Sequence, residues 1–214
     1  MKFTGYVTVR LNSTRVSHKS IRIFDGKPLV NYAIETLYSS GIEDIILYCS
    51  TPKITDYISC EVPYRFVERP VYLDGDSITF NNILSSIIED IDTDYLVFLC
   101  CTSPFIKPET IVEMVEAVKS LKFDSSFTAF KFQSFSWYDG IPLNYNINNI
   151  QKTQDIKPIH IETSGLYVFS KELFKKYGRR IGFNPYIKEV DVLEGLDIDT
   201  EEDWDIATKI KGII

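Results

Sequence analysis

A group of cationic and hydroxyl side chains follows the first apolar segment of this 214-residue sequence. Arg10, Ser13, Arg15 and Lys19 lie within one short stretch that carries several further hydroxyl groups. Phosphate oxygens are bound by guanidinium forks, ammonium groups, hydroxyls and backbone N–H groups. The stretch lacks the glycine spacing of a P-loop or of a dinucleotide-binding turn. The pattern therefore favours a phosphate site of another kind, with a solvated surface loop as the alternative.

A second candidate site is the carboxylate pair Asp197 and Asp199 near the end of the sequence. Alternate residues of an extended segment point the same way, so both carboxylates can meet one cation. Mg²⁺ prefers one or two carboxylates together with substrate phosphate oxygens and water. The structural alternative is that Asp199 or Thr200 caps a final helix whose first turn is acidic. We expect both to hold, with Asp203 structural and the carboxylate pair functional.

The elements that must position these groups follow from the apolar periodicity. In the first 121 residues, short apolar segments alternate with helical spacing. Strands are predicted at 5–9, 44–49, 64–67 and 95–99, and helices at 28–40, 78–91 and 108–121. This order indicates a single α/β domain over 1–214, Rossmann-like, with a mostly parallel sheet and helices on both faces. Ligands of such sheets bind beyond the carboxyl ends of the strands, so the loops after Val9 and Leu99 are the expected site.

The second half of the sequence is less regular. Strands are predicted at 126–131 and 166–169, and a closing helix at 200–210. Residues 133–162 are polar and aromatic with little periodicity. We expect this stretch to form a protruding arm or flap that serves dimerisation.

Composition excludes several classes of protein. The formal net charge is −7 and no Lys/Arg-rich run is present, which argues against nucleic-acid binding. The local basic stretch near the N-terminus instead suits a small polyanion such as a nucleoside triphosphate. No segment reaches the roughly 20 apolar residues that a membrane span needs, and no secretory apolar region is evident. The four cysteines form no CxxC pair, so we expect structural thiols and a cytoplasmic protein.

Residues 10–19, followed by the segment DGKPL at 25–29, resemble the N-terminal signature of the cytidylyltransferases. That family includes the CMP-sialic acid and CMP-KDO synthetases and the SpsF-like spore-coat proteins. The positions that match its pattern are Arg10, Ser13, Arg15 and Lys19. Ser20 stands where the CMP-sialic acid synthetases usually carry an asparagine that helps to hold the nucleotide.

The resemblance continues along the chain. Arg69-Pro70 and Asp76 resemble the family segment that runs near the nucleotide. Residues 102–104 (TSP) agree with the end of the family's Q-P-T-S-P, with Cys100 in place of the glutamine that touches the sugar in the sialic acid enzymes. Residues 153–155 and 165–167 resemble two patches beside the acceptor pocket. Residues 195–203 resemble S-I-D-I-D-T-x-x-D, in which the two alternating aspartates bind the metal.

This resemblance implies transfer of CMP from CTP to a small acidic sugar of the sialic acid type, with release of pyrophosphate. It implies Mg²⁺ (or Mn²⁺), bound by Asp197 and Asp199, and a homodimer without nucleic acid or membrane. The residues implied as catalytic are Arg10, Lys19 and Asp199. Those implied in nucleotide binding are Arg10, Leu11, Asn12, Ser13, Arg15, Lys19, Ser20, Asp76 and Thr79. Those implied in acceptor binding are Cys100, Thr102, Gln154, Tyr167, Arg180 and Phe183.

Other functions remain open at this point. Asp197 and Asp199 also have the form of the Asp-x-Asp metal motif of glycosyltransferases, although that motif usually ends a mid-chain strand. A cytidylyltransferase acting on a different small acceptor is another alternative, and so is a non-catalytic nucleotide-binding protein. Pyrophosphate release separates the first alternative from a nucleotidyltransferase, because a glycosyltransferase releases none.

Overall fold

The apolar segments pair into one mixed sheet. The computed structural model describes residues 1–13 and 16–213. Its elements, in chain order, are β1 (Phe3–Thr8), β2 (Ile23–Phe24), β3 (Lys27–Pro28), α1 (Leu29–Ser39), β4 (Ile45–Cys49), β5 (Arg65–Glu68), α2 (Phe80–Ser85), β6 (Tyr95–Leu99), α3 (Pro108–Lys119), β7 (Ser125–Phe132), β8 (Trp137–Tyr138), β9 (Ile141–Pro142), β10 (Ile159–Ser170), α4 (Lys171–Tyr177), β11 (Pro185–Val190) and α5 (Glu201–Lys211). No helix in the described part of the chain is long and apolar enough to cross a membrane.

The main sheet has seven strands in the order β11-β7-β10-β6-β1-β4-β5. Strands β6, β1, β4 and β5 pair in parallel, as do β7 and β11. Strand β10 runs antiparallel to both of its neighbours, β6 and β7. The other six strands therefore share one direction, which confirms the mostly parallel sheet.

Both faces of the sheet are covered, as predicted. Helices α1 and α3 pack on one face against the buried aliphatic side chains of β1, β4 and β6. Helices α2 and α4 pack on the other face, which is lined with aromatic rings. Tyr6, Phe98, Tyr167 and Phe127 lie side by side on four adjacent strands. Successive ring centroids along this row are 6.1, 6.2 and 6.4 Å apart.

The helix predicted at 78–91 is wrong in extent. Helix α2 begins at a capping box between Thr79 and Asn82 but ends at Ser85. The Ser86 hydroxyl donates to the Ile83 carbonyl, a local bond that competes with helix continuation. A single 3-10 turn, Ile88–Asp90, follows. The buried residues of 84–91 keep the helical spacing. The periodicity therefore predicted the buried side of this segment correctly, although the backbone does not stay α-helical.

The second half departs from the prediction in three places. Strand β10 extends from Ile159 to Ser170, so residues 159–162 belong to the sheet and the arm ends before them. Helix α4 and strand β11 were not predicted. Strand β11 is only half-buried at the edge of the sheet, so its sequence lacks a strong apolar pattern.

The carboxyl ends of β1, β5, β6 and β11 lie at the same edge of the sheet. The segment that follows β11 is fastened to α3 by the buried carboxylate of Glu194. Its Oε1 accepts from the Thr110 hydroxyl at 2.5 Å and from the Lys107 backbone N–H at 3.3 Å. Lys107 Nζ lies 3.3 Å from Oε2 of the same carboxylate. Residues 195–199 are thereby brought beside the loops that follow β1 and β6.

Candidate active site

Lys19 contacts a segment that is about 180 residues away in sequence. Its ammonium group donates to the Ile198 carbonyl at 2.6 Å and to Asp199 Oδ1 at 3.0 Å. Lys19 opens a 3-10 turn, Lys19–Ile21, and the preceding His18 has a positive φ of 52° that turns the chain. The Lys19 side chain is only 12% exposed, so this contact is largely shielded from water. The basic loop and the carboxylate pair therefore share one site.

Asp197 is held by the loop that follows β6. Its Oδ1 accepts a hydrogen bond from the Thr102 hydroxyl and lies 3.4 Å from the Ser103 hydroxyl. The Ile198 N–H donates to the Thr102 carbonyl at 2.9 Å. Burial, with a further contribution from Asp199, raises the pKa of Asp197 above its ordinary value, although the Thr102 hydrogen bond opposes this. A nearby cation would offset the same unfavourable burial of charge.

These groups line a cleft of about 210 Å³. Arg10, Ser13, Lys19, Ser20 and the carboxylate pair contribute polar atoms to its walls. Cationic and hydroxyl donors thus face two carboxylates across one cavity. This arrangement suits a phosphate chain held on one side by the donors and on the other by a shared divalent cation.

Two adjacent thiols, Cys100 and Cys101, also line the cleft. Cys100 Sγ lies 3.0 Å from the Thr102 hydroxyl, and Cys101 Sγ lies 3.6 Å from the Ser20 hydroxyl. Burial raises the pKa of the Cys100 thiol and raises that of Cys101 to about 12. Both groups therefore keep their protons at neutral pH and are poor nucleophiles.

A second cavity, of about 240 Å³, adjoins the cleft and shares Thr8, Val9 and Arg10 with it. Its wall includes Arg69, which is only 2% exposed at the end of β5. The Arg69 guanidinium pairs with Asp74 and donates to the Thr8 hydroxyl at 2.8 Å. Its Nε has no hydrogen-bond partner among the described residues. The remaining wall is largely aliphatic, so the cavity combines apolar surface with a fixed hydrogen-bond donor.

Arg10 stands between the two cavities. Its Nη1 donates to the Asp74 carbonyl and to Asp76 Oδ1, both at 3.1 Å. Asp76 also lines the second cavity. Thr79 lies nearby in the chain, but its hydroxyl is used in the capping box of α2 and it does not line either cavity.

Tyr167 and Arg180 form a separate cluster on the aromatic face of the sheet. The Arg180 guanidinium lies 4.1 Å from the Tyr167 ring centroid and 5.2 Å from that of Phe80. Arg180 Nη2 donates to the Tyr167 hydroxyl at 3.2 Å, and this hydroxyl donates to Glu162 at 2.8 Å. Burial raises the pKa of Tyr167 to about 12, against the effect of the Arg180 charge. The β-bulge between Glu162 and Tyr167 joins this cluster to the cleft, because the Gly165 carbonyl accepts from the Cys100 N–H at 2.8 Å.

Four further residues expected at the site do not line the cleft. Phe183 is at the amino end of the parallel strands, where its N–H donates to Asp124, directly before β7. Gln154 is exposed on a 3-10 turn of the arm. Leu11 and Asn12 belong to the basic loop but do not line the cleft. Arg15 lies outside the residues that the structure describes.

Arg69 and Ser103 belong to segments that resemble the family's motifs, but neither is among the site residues that the sequence predicts. Arg69 follows β5 directly, at the edge where ligands are expected, and the resemblance of Arg69-Pro70 to the family segment indicates the same place. The structure adds that the Ser103 hydroxyl lies 3.4 Å from Asp197 Oδ1, a contact between positions 94 residues apart in sequence.

The described part of the chain contains no group of three or more His, Cys, Asp or Glu side chains suited to hold a metal ion. A divalent cation at Asp197 and Asp199 would therefore complete its coordination with substrate oxygens and water. Mg²⁺ characteristically binds in this way, so the residues present fit it.

Comparison with known proteins agrees with this geometry. A family described as cytidylyltransferase matches residues 5–212. A CMP-N,N'-diacetyllegionaminic acid synthase of Legionella pneumophila is 26% identical, over 98% of this chain and 96% of its own length. The pseudaminic acid cytidylyltransferase and UDP-2,4-diacetamido-2,4,6-trideoxy-beta-L-altropyranose hydrolase of Helicobacter pylori is 24% identical over 92% of this chain.

The chain spans only 40% of the Helicobacter protein, and 49% of a Danio rerio N-acylneuraminate cytidylyltransferase A that is 21% identical. Among solved structures, a CMP:2-keto-3-deoxy-manno-octonic acid synthetase complexed with CTP superposes with a TM-score of 0.73 at 12% identity. That superposition covers 100% of this chain and 99% of the other. The likeness shows that the fold is shared.

The raised pKa of Asp197 predicts a pH-dependent effect of Asp197→Asn on stability. The folded protein keeps this proton to higher pH than the unfolded chain, so the contribution to stability is present in acid and lost as pH rises through the raised pKa. Because asparagine cannot ionise, we expect the variant to have the higher melting temperature near about pH 7.5, by roughly 2–4 °C. Near about pH 4 the difference should disappear.

Thermal unfolding in chelator-treated buffer at the two pH values measures this effect. Asp205→Asn, which alters an exposed carboxylate on α5, is the matched control and should show no such dependence. A lower melting temperature for Asp197→Asn at the higher pH would contradict the assignment.

Proposed function

This chain belongs to the cytidylyltransferase family, and from that premise we propose that it transfers CMP from CTP to a small acidic sugar of the sialic acid type, with release of pyrophosphate. The observation that carries the proposal is the meeting of Lys19 with Asp199 and Ile198 at the cleft. It brings a cation and two carboxylates to one place, as transfer at phosphorus requires. Catalysis of such transfer rests on positioning and electrostatic stabilisation.

The triphosphate is assigned to the cleft. Arg10 and Lys19 supply positive charge, and Ser13 supplies a hydroxyl, along one wall of the cavity. Fixed cations beside the leaving pyrophosphate stabilise its developing negative charge. Lys19 also holds Asp199 in place, because its ammonium group donates to that carboxylate.

The base is assigned to the second cavity. Leu73, Ile78 and Ile83 provide apolar walls of the kind that accept a planar ring, and Arg69 offers a donor fixed by its pairing with Asp74. Because the two cavities share Thr8, Val9 and Arg10, one nucleotide can occupy both. The choice of cytosine rests on the family.

Mg²⁺, or Mn²⁺, would be held by Asp197 and Asp199. When bound, the cation neutralises charge at the α-phosphate and lowers the pKa of the attacking oxygen of the acceptor. The chain itself orients Asp197 through Thr102 and Asp199 through Lys19.

We assign the acceptor to the cluster around Arg180, which the bulge of β10 connects to the loop after β6. The guanidinium is stacked over Tyr167 and Phe80, and only one of its hydrogen bonds to the described residues is formed, to the Tyr167 hydroxyl. Its remaining N–H groups suit a sugar carboxylate, which guanidinium groups bind with two parallel hydrogen bonds. The relatives named for legionaminic and pseudaminic acids support an acceptor of this class.

We further propose that the protein acts as a cytoplasmic homodimer. Its four cysteines are free thiols, which is typical of a reducing compartment. The arm carries several exposed apolar side chains, and a cluster of this kind marks an interaction surface. They are Trp137, Tyr138, Ile141, Leu143, Ile147 and Ile150.

Pyrophosphate release tests the activity. The chain is incubated with CTP, Mg²⁺ and a panel of sialic, legionaminic, pseudaminic and KDO-type acids. We expect pyrophosphate only when CTP and one class of acid are both present. Asp199→Asn and Lys19→Met should each lower kcat/KM by about 100-fold or more, because each removes charge at the reacting phosphate.

The matched controls are Asp205→Asn and Lys209→Met, which alter exposed residues of the same types on α5. Both should retain wild-type activity. Full activity of Asp199→Asn, or consumption of a nucleotide sugar without pyrophosphate release, would overturn the proposal.

Arg180→Gln tests the acceptor assignment. Loss of a charged hydrogen-bond donor should raise KM for the acid by about 10- to 100-fold and leave KM for CTP nearly unchanged. Arg179→Gln is the control, since the Arg179 guanidinium is bound locally to the Ile181 and Gly182 carbonyls. An equal increase in both KM values would place Arg180 outside the acceptor subsite.

Light scattering coupled to gel filtration tests the oligomeric state. We expect twice the chain mass for the wild type and the single chain mass for the double variant Tyr138→Glu, Ile141→Glu, because the added charges oppose burial of the arm. Val192→Glu, at an exposed site outside the arm, is the control and should remain dimeric. A monomeric wild type would refute this part of the proposal.

A further inference from the structure

The loop after β6 is joined to the carboxylate segment by two hydrogen bonds from one residue. Thr102 accepts from the Ile198 N–H through its carbonyl and donates to Asp197 Oδ1 through its hydroxyl. Thr102 is only 6% exposed. The same side chain therefore fixes both the backbone and the carboxylate of the segment that carries the proposed metal ligands.

The direction of the hydrogen bonds follows from proton counting. A threonine hydroxyl has one proton, and an ionised carboxylate can only accept. The Thr102 proton therefore lies toward Asp197, and the thiol of Cys100, 3.0 Å from the Thr102 hydroxyl, must donate to that oxygen. The result is a chain of two hydrogen bonds, in which the thiol donates to the hydroxyl and the hydroxyl donates to the carboxylate.

These hydrogen-bonded groups are closely packed by strand β10. Strand β10 packs against the loop after β6 at Gly165, where an added Cβ atom would lie 2.7 Å from the Ser103 hydroxyl oxygen. The Cys100 N–H is bonded to the Gly165 carbonyl at 2.8 Å. Asp197 Oδ2 has no hydrogen bond to the described residues, although Asp197 lines the cleft. One carboxylate oxygen is thus fixed and the other is left for a ligand.

We propose that Thr102, supported by Cys100, is a positioning residue that aims Asp197 at the divalent cation. This inference rests on the proposed function, and it changes the role of both residues from acceptor binding to support of the metal site. The Thr102 hydroxyl proton is committed to Asp197 and the Cys100 thiol proton to Thr102, so neither is available to the sugar. Groups that orient metal ligands typically affect metal affinity or activity by about 10- to 100-fold.

Direct binding of Mn²⁺ in the presence of CTP, followed by electron paramagnetic resonance, tests the inference without relying on turnover. We expect Thr102→Val, which preserves shape but removes the hydroxyl, to raise the apparent Kd for Mn²⁺ by about 10- to 100-fold. Thr102→Ser should restore affinity to near the wild-type value. Cys100→Ala should give a smaller increase, of about 2- to 10-fold, because it removes one uncharged hydrogen bond.

Thr208→Val is the matched control, since its hydroxyl donates to the Trp204 carbonyl within α5. It should bind Mn²⁺ as the wild type does. In the activity assay, the Mg²⁺ concentration for half-maximal rate should rise in Thr102→Val, while KM for the acid at saturating Mg²⁺ stays unchanged.

Wild-type Mn²⁺ affinity in Thr102→Val, together with a higher KM for the acid, would overturn the inference and return Thr102 to the acceptor site. If Thr102→Val does not fold, wild-type affinity in Cys100→Ala would overturn the part assigned to the thiol, and reduced affinity would support it. Failure of the proposed function is distinguished by the wild type, which would then bind no Mn²⁺ with CTP and release no pyrophosphate.

Discussion

The site depends on the contact between Lys19 and the segment Ile198–Asp199. The two partners are 180 residues apart in sequence and lie at the carboxyl edge of one sheet. The Lys19 ammonium group is bound to a carbonyl and a carboxylate in a largely shielded position, where electrostatic interactions are stronger than in water. This contact joins the basic loop directly to the carboxylate pair across the cleft.

The fold supplies that contact by fastening the carboxylate segment on several sides. Glu194 attaches it to the start of α3, and Thr102 attaches it to the loop after β6. The capping box of α5 adds a third attachment, because the Asp203 carboxylate accepts from the backbone N–H groups of Asp199 and Thr200. Asp203 therefore has the structural role that the sequence predicted, and the same bonds limit where Asp199 can lie.

Local patterns in the sequence were sufficient for the parts of the molecule that depend on local order. The buried strands β4 and β6, helices α1 and α3, and the cap of α5 were all evident from periodicity and capping residues. The basic loop and the carboxylate pair were evident from residue types at the ends of elements. The structure brings them together as predicted.

Features that depend on long-range pairing were not evident. Strand β10 is twelve residues long and pairs with both β6 and β7, but its outer half is largely exposed, and the short apolar alternation at 159–162 lies in the stretch that the sequence predicts as the arm. The bond from Thr102 to Asp197 joins positions 95 residues apart, and nothing near either residue signals it. Phe183 was expected beside the acceptor because of its place in the chain, whereas strand direction puts it at the other edge of the sheet.

The length of β10 places three regions of the molecule on a single strand. Its first residues, at 159–162, continue directly from the arm, and its bulge touches Ser103 and Cys100 beside the cleft. Its last residues are buried beside β6 in the centre of the sheet. The arm therefore leads directly into the strand whose bulge lies beside the cleft and whose last residues belong to the core.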